Sequence, residues 1–490
     1  MSLVTESTQQ PAMPGPYKIV AATSFGVFLS ALDSSIVNVS LVTMKDNLGV
    51  TMAAIQWIVV AYLLIVTSAM PLMGKLGDRL GKTKVFQLGM LVFISGSLLC
   101  AISIGLEMLV AARVFQALGA SMLSANGLAL VTYFTTNQNR GRAIGLNSIV
   151  LAAALGSGPV IGGVLSQFYG WPSIFLVNLP IGIIGFLVVQ FVIPETDQVK
   201  ETKFDSIGAA LFFSFLFLLI YYVTVSPGAS IGVSVLFIEG ILITLFAFII
   251  RESAFHSPII TTAVLRDKRI SASIFSALLA YMAMVPISFL LPFYLQEALD
   301  FNQSMTGIFL MVQPIMISVT GPIAGFVSER WCARNQTVVG LLVQLTGLVF
   351  IAFAIPNVIL MALGVAIMGT GLSFFSVANG NFIMTAAPKR YMGVVSALIN
   401  ISRTTGFSIA TALVTTVFGL FFLITNPGAI TSGPLFVTSY GQAVELTIWM
   451  FSVLVIIAAI ISSLRGLNPC EAERNNKGIS IVSTDQTPQQ

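Results

Sequence analysis

Fourteen long apolar runs occupy most of the chain, and nearly every charge lies between them. A membrane-crossing helix needs ~20 mostly apolar residues. The runs fall at 19–42, 53–73, 84–105, 107–131, 143–166, 172–193, 207–225, 232–250, 270–292, 304–328, 337–355, 357–380, 394–424 and 444–464. They lack the period-two alternation of a membrane barrel, so the spans are helices. Charged residues make up only 9% of the 490, against the roughly 25% of a soluble domain. The expected fold is an all-α polytopic membrane protein. The polar, Pro-rich residues 1–18 lack a basic stretch ahead of a short apolar core, so no cleaved signal peptide is expected.

Charge placement tests the count. With both termini cytoplasmic, 20 of the 23 Lys and Arg fall on the cytoplasmic side. Lys75, Arg79, Lys82 and Lys84 follow the second span, Arg140 and Arg142 the fourth; Arg266, Lys268 and Arg269 precede the ninth, Lys389 and Arg390 the thirteenth. Lys45 alone lies outside, while Arg113 and Arg403 lie within spans. The positive-inside rule produces this asymmetry, and a missed or invented span would scramble it. The expected location is the cell membrane.

The three cysteines are scattered, the single His256 lies in a connection, and no phosphate-binding loop is present. Neither an enzyme, a metal site nor ATP hydrolysis is expected. The basic balance suits loops facing anionic lipid rather than nucleic acid.

The loops carry a repeat. "GKLGDRLGKTKVF" follows the second span and "GFVSERWCARNQT" the tenth, so that Gly74, Asp78 and Arg79 align with Gly325, Glu329 and Arg330. Two six-helix halves, 19–193 and 270–464, then flank an inserted helix pair in 194–269, with polar tails at 1–18 and 465–490. Repeated halves around a site at mid-membrane are the architecture of many secondary transporters.

These motifs resemble the major facilitator superfamily. "GKLGDRLGKTK" is similar to its loop signature and "ARVFQALGAS" to its fourth-helix signature. "LGSGPVIGG" (Gly156, Gly158, Pro159, Gly162, Gly163) resembles the fifth-helix signature associated with antiporters. "LDSSIVNVSL" and "GWPSIFLVNLPIG" resemble first- and sixth-helix signatures of the fourteen-span drug:proton antiporter branch. The second-half loop departs from the pattern at Trp331 and Cys332, which implies a gate less tightly held there.

Asp33 stands mid-span in "FLSALDSSIVNVSL". A charged carboxylate at the bilayer centre costs about 2.5–3.5 kcal/mol on insertion scales, and desolvation disfavours its ionised form. It is either a packing carboxylate held by Ser and Asn donors or a site that loads and discharges protons. Arg113, seven residues into the fourth run, needs a partner: Asp33, Glu107, carbonyls or water. By the resemblance it tunes the proton affinity of Asp33, and Gln116 shares its helix face.

Asn38, Trp57, Tyr62, Gln116, Tyr281, Met284, Asn400 and Arg403 are the expected cavity residues, because thioethers and aromatic faces suit amphiphilic ligands. Arg403 fits structural pairing equally well. Gly74, Asp78, Arg79, Gly81 and Arg142, with Glu329 and Arg330, form the expected conformational gate. The small residues from Gly156 to Gly163 allow close helix packing, or form a bend that seals the path. Glu239 is expected to be peripheral, and Glu297 to sit at the outer water interface.

Together these features point to a monomeric, proton-coupled exporter of drugs or other lipophilic amphiphiles, monocationic or neutral. Its expected partners are that small molecule, protons and membrane lipid, with no cofactor. A carrier dedicated to one metabolite is the alternative, and a non-transporting membrane sensor a third, disfavoured by the short polar tail.

Overall fold

A computed structural model of the protein describes residues 15–135, 137–196, 205–225, 230–255, 266–386, 392–428, 430 and 432–466. Within these, the side chains of 16, 137–145, 148, 152, 224–225, 392–397 and Glu329 lie outside the description. Arg142 and Glu329 of the expected gate therefore carry no side-chain geometry.

Among the described residues, fourteen helices are long and apolar enough to cross a membrane, and there is no strand. They are α1 Tyr17–Leu48, α2 Met52–Leu80, α3 Lys82–Ala101, α4 Leu106–Phe134, α5 Ile149–Tyr169, α6 Ser173–Val192 and α7 Ser206–Val223. Then follow α8 Ile231–Ala254, α9 Lys268–Ala298, α10 Gln303–Ser328, α11 Ala333–Ala354, α12 Val358–Ala386, α13 Leu398–Thr425 and α14 Pro434–Leu464. The expected order of spans matches one for one. The largest shift is at the start of α14, Pro434 rather than 444, and α9 continues to Ala298 through two wide turns at Pro286–Leu290 and Tyr294–Ala298. Two internal prolines, Pro286 and Pro292, lack the N–H that would keep the regular ladder there.

Each half is held by a glycine-lined helix pair. In α3 and α4, a Cβ at Gly96 would lie 2.5 Å from the Gln116 backbone, and one at Gly119 2.5 Å from Phe93 N. In α11 and α12, a Cβ at Gly340 would lie 2.5 Å from Phe375 N, and Gly347 faces Met368 just as closely. Only glycine admits backbone at this range. Gly89 and Gly340, like Gly96 and Gly347, stand 251 positions apart, the same offset as Gly74 and Gly325 in the loops. The repeat read from one loop pair thus continues through packed helix pairs.

The inserted helices dock on one seam. Phe212, Leu216 and Ile220 of α7 pack with Val60 and Leu64 of α2 and Ala412 of α13, while Thr416 Oγ1 donates to the Val223 carbonyl at 3.0 Å. Hence α7 touches both halves. The outer helix α8 exposes most of its side chains and is tied to α7 by Arg251, whose Nε lies 3.0 Å from Asp205 Oδ1.

Candidate functional site

Asp33 sits near the middle of α1 and is 0% exposed; Arg113 of α4 is 1% exposed. Their pairing is direct: Arg113 Nη1 donates to Asp33 Oδ2 at 2.6 Å. Of the two acids available in sequence, Arg113 takes Asp33, while Glu107 stands exposed at the start of α4. The same Nη1 also donates to Gln116 Oε1 at 2.7 Å, and Nε donates to the Ile58 carbonyl at 3.3 Å. Above the guanidinium lies the Tyr62 ring, with its centroid 4.0 Å from Cζ; Phe175 stands at 5.7 Å. A delocalised cation with this many acceptors tolerates burial that a lone ammonium would not.

The other carboxylate oxygen is served by amides. Gln116 Nε2 donates to Asp33 Oδ1 at 2.9 Å, and Asn178 Nδ2 of α6 donates to it at 3.0 Å. Both amides also donate to Ser97 Oγ of α3, at 2.6 and 3.3 Å. Five helices of the first half therefore converge on one carboxylate. Arg113, Gln116 and Asn178 thus all donate to this one carboxylate. The result is a fully buried ion pair with no counterpart among the described residues of the second half, where Met368 takes the position against Gly347 that Gln116 takes against Gly96.

Sequence reasoning reached Asp33, Arg113, Gln116 and Tyr62 and missed Ser97 and Asn178. Asn178 lies inside the quoted stretch "GWPSIFLVNLPIG", and Ser97 in the otherwise apolar turn "SGSLL". An isolated amide in a membrane helix was the available signal.

The remaining cavity residues fall in three places. In the second half, Arg403 Nη2 donates to Asn400 Oδ1 at 3.1 Å, and Tyr281 lies beside both Arg403 and Phe407, 5.8 Å between ring centroids for the latter. Met284 packs against the apolar core that runs across both halves. Trp57 has its ring 5.8 Å from that of Tyr221 on the inserted pair. Asn38 lies half-buried on α1, its Oδ1 accepting no hydrogen bond among the described residues.

The halves meet firmly at one end. Lys45 of α1 pairs with Glu297 of α9, Gln303 of α10 donates to Thr43, and Gln296 Nε2 donates to the Val39 carbonyl at 3.0 Å. The small residues of α5 serve two neighbours. Gly158 and Gly162 admit Ser35 and Ile36 of α1; Gly163 admits Gln303, and Pro159 abuts Gly307 of α10. Toward the basic end, among the described residues, no such cross-half contact stands at the α10 glycines: a Cβ at Gly321 would meet Ser373 of its own half, and one at Gly325 nothing within 4 Å. Glu297, expected at a water interface, is thus a half-buried cross-half partner.

At the basic end, Asp78 pairs with Lys82, one turn away across Gly81, whose φ of +97° only glycine adopts readily. Arg79 is exposed there. Gly77 admits Asn126 of α4, and Gly74 faces Ala125. In the second half, the Arg330 guanidinium lies 4.4 Å over Phe326. Glu239, expected to be peripheral, is exposed on α8. One expectation needs correction. Arg465, expected to begin a polar tail, is 5% exposed and donates to Asn379 Oδ1 at 2.6 Å and Thr337 Oγ1 at 2.9 Å, beneath the Phe382 ring.

Two helical halves, a buried ion pair between spans, and one closed end define a membrane carrier rather than an enzyme. The chain belongs to the Major Facilitator Superfamily, whose family model matches residues 23–411. It is similar to the riboflavin transporter RibZ of Clostridioides difficile, 35% identical over 311 residues, 63% of this chain and 67% of that one. It is also similar to the methylenomycin A resistance protein of Streptomyces coelicolor, 31% identical over 369 residues, 73% and 76% of the two chains. A bacterial homologue of the human lysosomal transporter Spinster shares the fold, with a TM-score of 0.66 over 92% of this chain and 96% of that one, at 15% identity.

Proposed function

We propose that the protein is a proton-coupled antiporter that exports drugs or other lipophilic amphiphiles, with Asp33 as the carboxylate that loads and discharges the proton. The observation carrying this reading is the Asp33–Arg113 pair: an ionisable group, fully buried, at the meeting point of five helices. Resistance proteins among the relatives support a drug as cargo.

With both termini cytoplasmic, the Lys45–Glu297 end faces outward and the molecule is open to the cytoplasm. Substrate enters between the halves, where Tyr281, Phe407 and Arg403 offer aromatic faces and a donor. The loop residues Gly74, Asp78, Arg79 and Gly81, with Arg142, Glu329 and Arg330, act as the gate at the cytoplasmic end. The Gly156–Gly163 segment of α5 seals the outer one. After the halves rock, protonation of Asp33 from outside and release of the proton inward reset the cycle. For a neutral substrate, one proton moving inward down 100 mV yields ~2.3 kcal/mol, enough for a gradient of roughly 50-fold; exchange for a monocation moves no net charge and draws on the pH gradient alone.

The test is ethidium efflux from energised cells, for wild type and Asp33→Asn, with and without a protonophore. Efflux lost with either change supports the reading; proton-driven efflux that survives in Asp33→Asn sinks it. A second reading, a carrier dedicated to one metabolite, is favoured by the 35% identity to a riboflavin transporter. Transport of riboflavin that ethidium and other drugs do not compete for would select it.

A further inference from the structure

We infer that Ser97 and Asn178 are positioning residues that set how readily Asp33 takes a proton, by holding two amides in the one orientation that serves the ionised carboxylate. This rests on the reading of Asp33 as the proton site. The geometry is over-determined. Gln116 cannot turn over, because its Oε1 accepts from Arg113 Nη1 at 2.7 Å, leaving its Nε2 to face Asp33 Oδ1 and Ser97 Oγ. Asn178 has no such second lock. Its Nδ2 spans the same two oxygens at 3.0 and 3.3 Å, while its Oδ1 is buried and accepts nothing among the described residues.

A buried carbonyl left without a donor costs free energy. The opposite flip, however, would aim that oxygen at a carboxylate. The amide therefore stands as it does because Asp33 Oδ1 takes one of its hydrogens and Ser97 Oγ the other. Ser97 is the shared acceptor that aligns both amides at once. One hydroxyl on α3 thereby couples α4 and α6 to the carboxylate on α1.

The other groups facing Asp33 are Arg113 from α4, Tyr62 from α2 and Cys100 from α3. Arg113 supplies the charge; the amides supply the increment that Ser97 and Asn178 control. A charge-assisted hydrogen bond is about twice as strong as a neutral one. Removing one such donor shifts a protonation equilibrium by about one to two pH units.

The full-length purified protein in lipid, titrated by infrared spectroscopy, tests this without any substrate. The carboxylic-acid band of Asp33 is assigned by its loss in Asp33→Asn. Expected are midpoints moved to higher pH by about one to two units in Ser97→Ala and Asn178→Ala. In Ser97→Thr, which keeps the hydroxyl, the midpoint stays at the wild-type value. Ser97→Cys, a mild change with a weaker acceptor, falls between. If the wild-type band titrates and the Ala variants titrate at the same pH, the positioning role is overturned while the reading of Asp33 stands. If no variant shows the band at any pH that preserves the fold, both fail. A band that titrates only in the Ala variants supports the positioning role, because the cradle then keeps wild-type Asp33 ionised throughout.

Discussion

At the scale of single residues, the ion pair between Asp33 and Arg113 is asymmetric in what each partner has besides the other. Arg113 retains Gln116 Oε1, the Ile58 carbonyl and the Tyr62 ring. Without Arg113, Asp33 retains only neutral donors, the Gln116 and Asn178 amides and the Tyr62 hydroxyl. Breaking a buried pair from one side costs about 3–5 kcal/mol when the remaining charge has no compensation. Arg113→Ala is therefore expected to lower the thermal unfolding temperature of the purified protein. Asp33→Asn should leave it near wild type while abolishing proton-driven efflux. Equal destabilisation by the two would contradict this assignment of support. The carboxylate and the guanidinium were legible in the sequence because charges in apolar runs are rare. Ser97 and Asn178 were not, because a serine in a membrane helix usually bonds its own backbone, and nothing local says that α3 and α6 meet at Asp33.

Among elements, close approach decides what moves against what. Gly158 and Gly162 let α1 lie directly on α5, and Pro159 and Gly163 bring α5 against α10 of the other half. Gly158→Leu would overpack the α1 contact, at a cost of about 1–3 kcal/mol, and is expected to slow efflux more than it lowers expression. The Lys45–Glu297 bridge is a second cross-half element. Worth about 1 kcal/mol when half-buried, it biases the closed end roughly fivefold. Lys45→Glu should therefore change the efflux rate by a few-fold, and the charge-swapped double variant Lys45→Glu with Glu297→Lys should restore it. Failure of the swap to restore would show that the bridge does not hold that end. At the start of α9, Asp267 accepts from Arg269 N at 2.9 Å and caps the helix. The hydrogen bond from the Arg269 side chain holds its carboxyl below the usual carboxylate range. A depressed value contributes stability above the unfolded pKa of about 3.9 and loses it as pH falls through the folded one. Asp267→Ala should cost about 1 kcal/mol at neutral pH, a difference that closes in thermal melts taken toward pH 3.

Across the whole molecule, the two halves share a scaffold and differ in chemistry. Glycines at the same 251-residue offset build the same helix pair twice. The first half then places an ion pair where the second places Met368 and Val365. The buried ion pair thus lies on one side of the seam, while Arg403 stands beside Tyr281 and Asn400 on the other. The inserted pair leans on α2 and α13 without entering the Asp33 cluster, which agrees with its position outside the repeat. Sidedness is testable directly: Asp46→Cys should react with an impermeant maleimide on intact cells, and Arg79→Cys only after permeabilisation. The reverse pattern would invert the proposed direction of the open end.

The sequence alone determined the number of spans, their helical nature and the doubling of the halves. Those follow from hydropathy, helix length and charge bias, all local properties that water and lipid read without reference to the fold. It also marked Asp33 and Arg113, because burying charge is costly wherever it occurs. The tertiary structure decided which acid Arg113 takes, that Glu297 reaches across to Lys45, and that Trp57 faces the inserted pair. It also decided that two distant amides and one hydroxyl finish the Asp33 site. Those depend on which helix faces turn toward each other, and that is set by the summed packing of many glycine-lined contacts rather than by any one segment.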